Sequence, residues 1–251
     1  MNYCLTVSYD GTNFNGWQAQ GKDDLRTVQE VLESVAAVAL KQTVKITASG
    51  RTDAGVHALG QKCSFTADTT VPPEKIADCL NGLLPADVKV VKSERVEDGF
   101  DACRSAKRKT YVYSVYISER ENPLLERYAV RLSGKTDEDL LLRAMRAAEG
   151  EHDFKAFCAS NSSAKTTVRT VYSVKLVKES TLFGVVWRFY VCGNGFLYNM
   201  VRTLVGTFLD ISLGRKTLAD LENALSCGNR NAVGRTLPAK GLCLYNVEYN
   251  V

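Results

Sequence analysis

Tyr3-Cys4-Leu5-Thr6-Val7-Ser8-Tyr9 sets the pattern from which the fold is read. Tyr3, Leu5, Val7 and Tyr9 alternate with Cys4, Thr6 and Ser8, the period-2 signature of a strand with one buried face. Downstream, Thr27-Val28-Gln29-Glu30 has capping-box spacing, and Val28, Val31, Leu32, Val35 and Val38/Ala39 recur at helical intervals to Lys41. Short strands are predicted at 44–48 and 61–67. A helix entered at Pro72-Pro73 carries Ile76, Ala77, Cys79, Leu80 and Leu83, and a strand at 88–95 completes the order β-α-β-β-α-β. That order is ferredoxin-like.

The second half repeats it. Thr110-Tyr111-Val112-Tyr113-Ser114-Val115-Tyr116-Ile117 reads as a strand, and Leu140, Leu141, Ala144, Met145 and Ala148 mark a helix at 136–148. Strands at 168–177 and 185–192, helices at 196–213 and 217–226, and a closing strand at 242–249 follow, with an additional strand at 128–132. No sequence repeat links the halves, so the duplication rests on element order. The expectation is an α+β fold of two tandem ferredoxin-like domains, 1–105 and 106–251. Their antiparallel sheets are expected to be packed or merged side by side, because no Pro/Gly/Ser-rich linker marks the seam.

With 251 residues, 45% of them hydrophobic, the chain can bury a substantial core. It opens without a basic segment leading into an apolar one, and no uncharged run approaches a membrane span, so a cytoplasmic protein with no membrane partner is expected. Cys4, Cys63, Cys79, Cys103, Cys158, Cys192, Cys227 and Cys243 are scattered, with no Cys-x-x-Cys and only His57 and His152 to complete a metal shell. No metal centre is expected, and the thiols read as reduced, mostly buried side chains. A net charge of +4 suits a polyanionic partner without identifying one.

Asp53 lies in Gly50-Arg51-Thr52-Asp53-Ala54-Gly55, between two predicted strands, where glycines and small neighbours allow a tight backbone and close ligand approach. By composition this is a turn, and Asp in turns commonly bonds its own backbone. Lys107-Arg108-Lys109 runs into Tyr111 and Tyr113, a basic cluster beside aromatics that suits phosphates and an unstacked base. The plainer reading is a solvated strand edge over core tyrosines. Arg202 falls outside the Phe196, Met200, Leu204 stripe of its helix, the ordinary place of a solvated arginine. His57 follows a tight turn and suits a structural or RNA-contact role, while His152 reads as structural. Asp10 and Trp17 sit in a Gly/Asn-rich loop that suits either RNA contact or local packing.

Gly50-Arg51-Thr52-Asp53-Ala54-Gly55-Val56-His57-Ala58 resembles the active-site signature of the tRNA pseudouridine synthase A family. So, in the family's order, do Tyr9-Asp10-Gly11-Thr12-Asn13-Phe14-Asn15-Gly16-Trp17-Gln18, Arg26-Thr27-Val28-Gln29, Leu80-Asn81-Gly82-Leu83-Leu84-Pro85, Lys109-Thr110-Tyr111, His152-Asp153-Phe154, Val168-Arg169-Thr170, Gly195-Phe196-Leu197-Tyr198-Asn199-Met200-Val201-Arg202 and Pro238-Ala239-Lys240-Gly241-Leu242. The resemblance spans nearly the whole chain. It implies a cofactor-independent pseudouridine synthase with Asp53 as the catalytic carboxylate, Tyr111 packing on the target base and Arg202 pairing with the carboxylate. It also implies a homodimer that acts on tRNA at positions 38 to 40 of the anticodon arm. Arg51 is read as a base-flipping or phosphate ligand, and His57, Lys107, Arg108 and Lys109 as RNA contacts. Two departures stand out: Phe100-Asp101-Ala102-Cys103 replaces the common Phe-His-Ala-Arg, and Lys240 stands where histidine is frequent.

Isomerising uridine to pseudouridine needs no redox partner or imported group, so no cofactor is expected. Two rivals use similar residues. A non-catalytic RNA-binding module would share tandem ferredoxin-like sheets with aromatic strands, but lacks a reason for 50–58. A glycosidase wants two facing carboxylates, and only one motif-embedded Asp is present. A pseudouridine synthase with a different RNA target is the nearer alternative.

Overall fold

The computed structural model of the chain describes residues 1–21, 25–159 and 164–249. The chain folds into two compact units, Met1–Lys107 with Cys243–Val251, and Arg108–Leu242. The closing segment of the chain groups with the first unit.

The first unit has β1 (Asn2–Tyr9), α1 (Val28–Leu40), β2 (Thr47–Ala48), β3 (His57–Thr66), α2 (Ile76–Asn81) and β4 (Val88–Val96). β1 is antiparallel to both β3 and β4, and β2 is antiparallel to β3. This is the ferredoxin-like sheet order 4-1-3-2. Alternation does what the sequence implied: Tyr3, Leu5 and Val7 are fully buried. Thr27 caps α1, its side chain accepting from Glu30 N, and Thr27 Oγ1 in turn donates to Glu30 Oε2 at 2.6 Å.

Two expectations shift. β2 is only two residues long, and β3 begins at His57, four residues before the predicted strand. Its extra length is fixed by long-range pairing, Ala58 with Tyr9 of β1, and His57 and Ala58 with Cys243 and Leu244. Those last two belong to the chain's closing strand, which runs parallel to β3.

The second unit contains β5 (Arg108–Ile117), β6 (Val130–Leu132), α3 (Glu138–Ala147), β7 (Gly150–Asp153), β8 (Val168–Thr181), β9 (Gly184–Gly193), α4 (Met200–Ser212) and α5 (Leu218–Cys227). The closing strand, β10 (Leu242–Glu248), follows. β5, β9, β8 and β7 are successively antiparallel, and β6 lies parallel to β5. β7 gives no strand signal in the sequence because Glu151, His152 and Asp153 form a polar edge strand with no apolar face to alternate. Helix α4 starts at Met200, four residues later than its apolar pattern suggests, because Asn199 takes a left-handed conformation (φ 65°) at its N-cap.

All eight cysteines are free thiols. Cys4 and Cys63 are buried, but Cys79, Cys103 and Cys227 are exposed, so the expectation of mostly buried cysteines is corrected. Among the described residues no helix is long and apolar enough to cross a membrane, and no cluster of three or more His, Cys, Asp or Glu could hold a metal ion.

Candidate active site

The loop 49–56 is held from two sides. Toward β3, Ser49 N donates to Lys62 O at 2.7 Å, Ser49 Oγ to Gln61 Oε1 at 2.7 Å, and Gln61 Nε2 to Gly50 O at 2.7 Å. On the other side lies the segment 10–17 that follows β1. Trp17 N donates to Thr52 O at 3.0 Å and Gly55 N to Phe14 O at 3.2 Å. Tyr9 and Thr52 share a hydrogen bond of 2.7 Å between their hydroxyls. At Gly11 a Cβ would stand 2.0 Å from Val56 O, so only glycine lets the two loops meet this closely.

Asp53 is half-buried in this frame, between buried Thr52 and exposed Ala54, with Val56 N bonded to its backbone carbonyl at 3.1 Å. Arg51, two residues before it, is exposed. Trp17 is buried and serves as a packing anchor. Asp10 accepts from Thr12 N at 3.0 Å, capping the turn at 11–13.

His57 is only 6% exposed at the start of β3. Its Nδ1 accepts the Gly11 amide at 3.0 Å and lies 3.2 Å from Asp10 Oδ1. A backbone amide can only donate, so Nδ1 is the acceptor of that bond. The ring thus ties the start of β3 to the segment that follows β1.

In the second unit Tyr111 lies in β5, 7% exposed, with its ring edge-on to Phe196 at a centroid distance of 5.4 Å. Tyr113, on the same face, is fully buried and donates to Pro238 O at 2.7 Å. It is a core residue whose phenol burial pushes far up. Arg202 stands in the first turn of α4, not deeper in the helix as the apolar pattern implied. Its Nε donates to Leu237 O and its Nη1 to Asn199 Oδ1, both at 2.7 Å. Lys107 is exposed in the first unit. Arg108 and Lys109 are half-buried in the second, with the Arg108 guanidinium 5.0 Å from the Tyr172 ring centroid. Asp53, Arg51, His57 and Lys107 are thus residues of the first unit, and Tyr111, Arg202, Arg108 and Lys109 of the second.

The departures have local explanations. Asp101 Oδ1 accepts from Cys103 N at 2.8 Å and Arg104 N at 2.9 Å, capping its own turn. Ala102 is locked by Ser64 Oγ and by the Tyr249 hydroxyl, each at 3.0 Å. Lys240 pairs with Glu126, which also receives the Tyr116 hydroxyl. Sequence pattern alone assigns no site role to Tyr9, Thr52 or Asn199. Their roles depend on partners 43 residues away in the first case and on a left-handed cap in the last, neither of which leaves a periodic signal.

A family model described as tRNA pseudouridine synthase matches residues 5–103 and 144–250. The protein named tRNA pseudouridine synthase A in Caldicellulosiruptor bescii is 38% identical over 248 residues, covering 99% of both chains. Its namesake in Citrifermentans bemidjiense is 41% identical over 249 residues, covering 99% of this chain and 97% of that one. A protein named tRNA pseudouridine synthase A 2 in Bacillus cereus is 38% identical, again over 99% of each chain. Among solved structures, one titled "Structure of H/ACA RNP bound to a substrate RNA containing 2'-deoxyuridine" matches with a TM-score of 0.36 and 17% identity, over 83% of this chain and 43% of that one.

Proposed function

Since the chain belongs to the tRNA pseudouridine synthase family, we propose that it isomerises uridine to pseudouridine at positions 38, 39 and 40 of the tRNA anticodon arm, with Asp53 as the catalytic carboxylate. The observation that carries this reading is the frame around Asp53. Bonds from β3 on one side and the 10–17 segment on the other hold the loop at residues flanking Asp53, while Asp53 itself keeps partial exposure. A carboxylate on a fixed loop can meet a reacting sugar without reorganising.

The reaction breaks the C1′–N1 bond, turns the detached uracil and joins C5 to C1′. The proton of C5 is released and N1 gains one, so atoms balance with nothing imported. An ionised carboxylate serves this by abstracting the 2′ hydrogen to give a glycal, the route we favour, and attack at C1′ or addition to the ring would use the same group. In this reading the target base is taken out of its stack and packs on Tyr111. Arg202 supplies the cation that favours the ionised carboxylate. Arg51 holds a phosphate or the vacated stack, and Lys107, Arg108 and Lys109 contact the RNA backbone. The enzyme works as a homodimer in the cytoplasm.

Asp53→Asn tests the assignment. It should abolish tritium release from 5-tritiated uridine in tRNA while leaving tRNA binding intact, and retained turnover would remove Asp53 from the chemistry.

A further inference from the structure

A cation in the first turn of a helix works against the helix dipole, so Arg202 needs acceptors to hold it there. The Leu237 carbonyl takes its Nε–H and Asn199 Oδ1 takes an Nη1–H, each at 2.7 Å. The two bonds grip different parts of one planar fork and together set its plane and direction. The Leu237 segment is anchored in turn: Thr203 and Thr236 share a hydroxyl bond of 2.8 Å, and Leu237 N returns to Arg202 O at 3.4 Å.

Asn199 is unusual in what its side chain does. At an N-cap, asparagine ordinarily accepts from an N–H of the first turn. Here it makes no cap hydrogen bond, and its amide oxygen is given to Arg202 instead. The backbone conformation, φ 65° and ψ 0°, is one that Asn, Asp and Gly tolerate and most residues avoid. Two properties therefore meet at this position: a left-handed backbone that starts α4, and an acceptor that aims the arginine.

We propose that Asn199 is a positioning residue of the isomerisation, its amide oxygen orienting the Arg202 guanidinium for the reaction. The proposal rests on the reading of Arg202 as the cation that serves the catalytic carboxylate. Asn199→Gly keeps the left-handed backbone and removes the acceptor; Asn199→Asp keeps both.

Single-turnover and steady-state tritium release from 5-tritiated uridine in tRNA, with a thermal unfolding curve for each variant, separates these properties. Loss of one charge-assisted hydrogen bond should lower kcat of Asn199→Gly by about tenfold, with KM within about twofold of the original and Tm nearly unchanged. Asn199→Asp should recover at least about threefold over the glycine variant, since an oxygen again stands within reach of Nη1. A glycine variant as fast as the original protein, two variants equally slow, or a rate loss that tracks a fallen Tm would each overturn the proposal. Arg202→Ala is measured beside them. If it retains turnover, the role of Arg202 falls and the proposal with it; if it is inactive while Asn199→Gly is fully active, the positioning role alone falls.

Discussion

The hydroxyls of Tyr9 and Thr52 lie 2.7 Å apart in the interior, joining the end of β1 to the residue immediately before Asp53. Burial pushes the Tyr9 phenol well above its ordinary value, so it stays neutral at any pH the protein meets, and either hydroxyl can donate in the bond. Tyr9→Phe leaves the Thr52 hydroxyl buried without this partner and should cost about 1–2 kcal/mol in urea unfolding. Because the lost bond steadies the loop that carries the carboxylate, kcat should fall more than KM rises. Unchanged stability and unchanged kcat together would show that the bond does not hold the loop.

Arg26 and Asp87 form a two-bonded ion pair, 2.6 Å and 2.8 Å, with the Arg26 guanidinium 4.0 Å above the Phe14 ring. Asn15 N also donates to Arg26 O at 2.8 Å, so the pair braces the segment that packs on the Asp53 loop. The Arg26 hydrogen bonds hold the Asp87 carboxyl below its usual value. A depressed carboxylate stabilises the fold fully above its unfolded pKa of about 4 and loses that contribution as pH falls through the depressed value. The stability gap between the original protein and Asp87→Asn should be constant from about pH 5 to 8 and close progressively below about pH 4. Urea midpoints across that range would read it, and a gap independent of pH would exclude the linkage.

Much of this fold can be read from alternation and capping because those signals are local. Tyr3, Leu5 and Val7 announce β1, and Thr27 and Glu30 announce α1. What stays hidden depends on distant partners. β3 extends back to His57 only because Tyr9 and Cys243 pair alongside it, and β10 belongs with the first unit through that same pairing. The Asp53 loop is legible as a tight turn, and the catalytic role proposed for it comes from its likeness to a family signature. The bonds that fix it, from Tyr9, Trp17 and Gln61, reach across 11 to 43 residues and leave no pattern in composition. Arg202 is legible too, but its place in the first turn is not, because the apolar residues Phe196 and Leu197 continue the helical spacing past the point where Asn199 begins the helix.

Gly206 in α4 tests how firmly the Arg202 region is fixed. A Cβ there would stand 1.9 Å from Arg235 O, and backbone cannot yield as a flexible side chain does. The segment is further tied down by Arg235 N donating to buried Asp210 at 3.2 Å. Gly206→Ala should therefore cost about 1–3 kcal/mol through overpacking. It should also lower turnover, because moving the segment at 235–237 displaces the carbonyl that receives Arg202 Nε. Thermal unfolding and tritium release, measured together, check both halves. A stable, fully active alanine variant would show that the segment can move away without consequence.

Lys240 offers a prediction about charge rather than space. Its ammonium pairs with Glu126, whose carboxylate also receives the hydroxyl of buried Tyr116, and together these hold Glu126 below the usual carboxylate range. The pair is partly exposed, so its net worth is below about 1 kcal/mol. Lys240→His puts a side chain whose ordinary titration range lies near neutrality in this place. A histidine that gains the Glu126 partner has its folded pKa raised, so its contribution is full below an unfolded pKa of about 6.5 and fades as pH rises through the folded value. The Tm difference between the original protein and this variant should thus be small near pH 5.5 and widen by pH 8.5. Parallel Tm curves would mean that the Glu126 contact carries no charge-dependent stability, and that Lys240 serves there as a spacer alone.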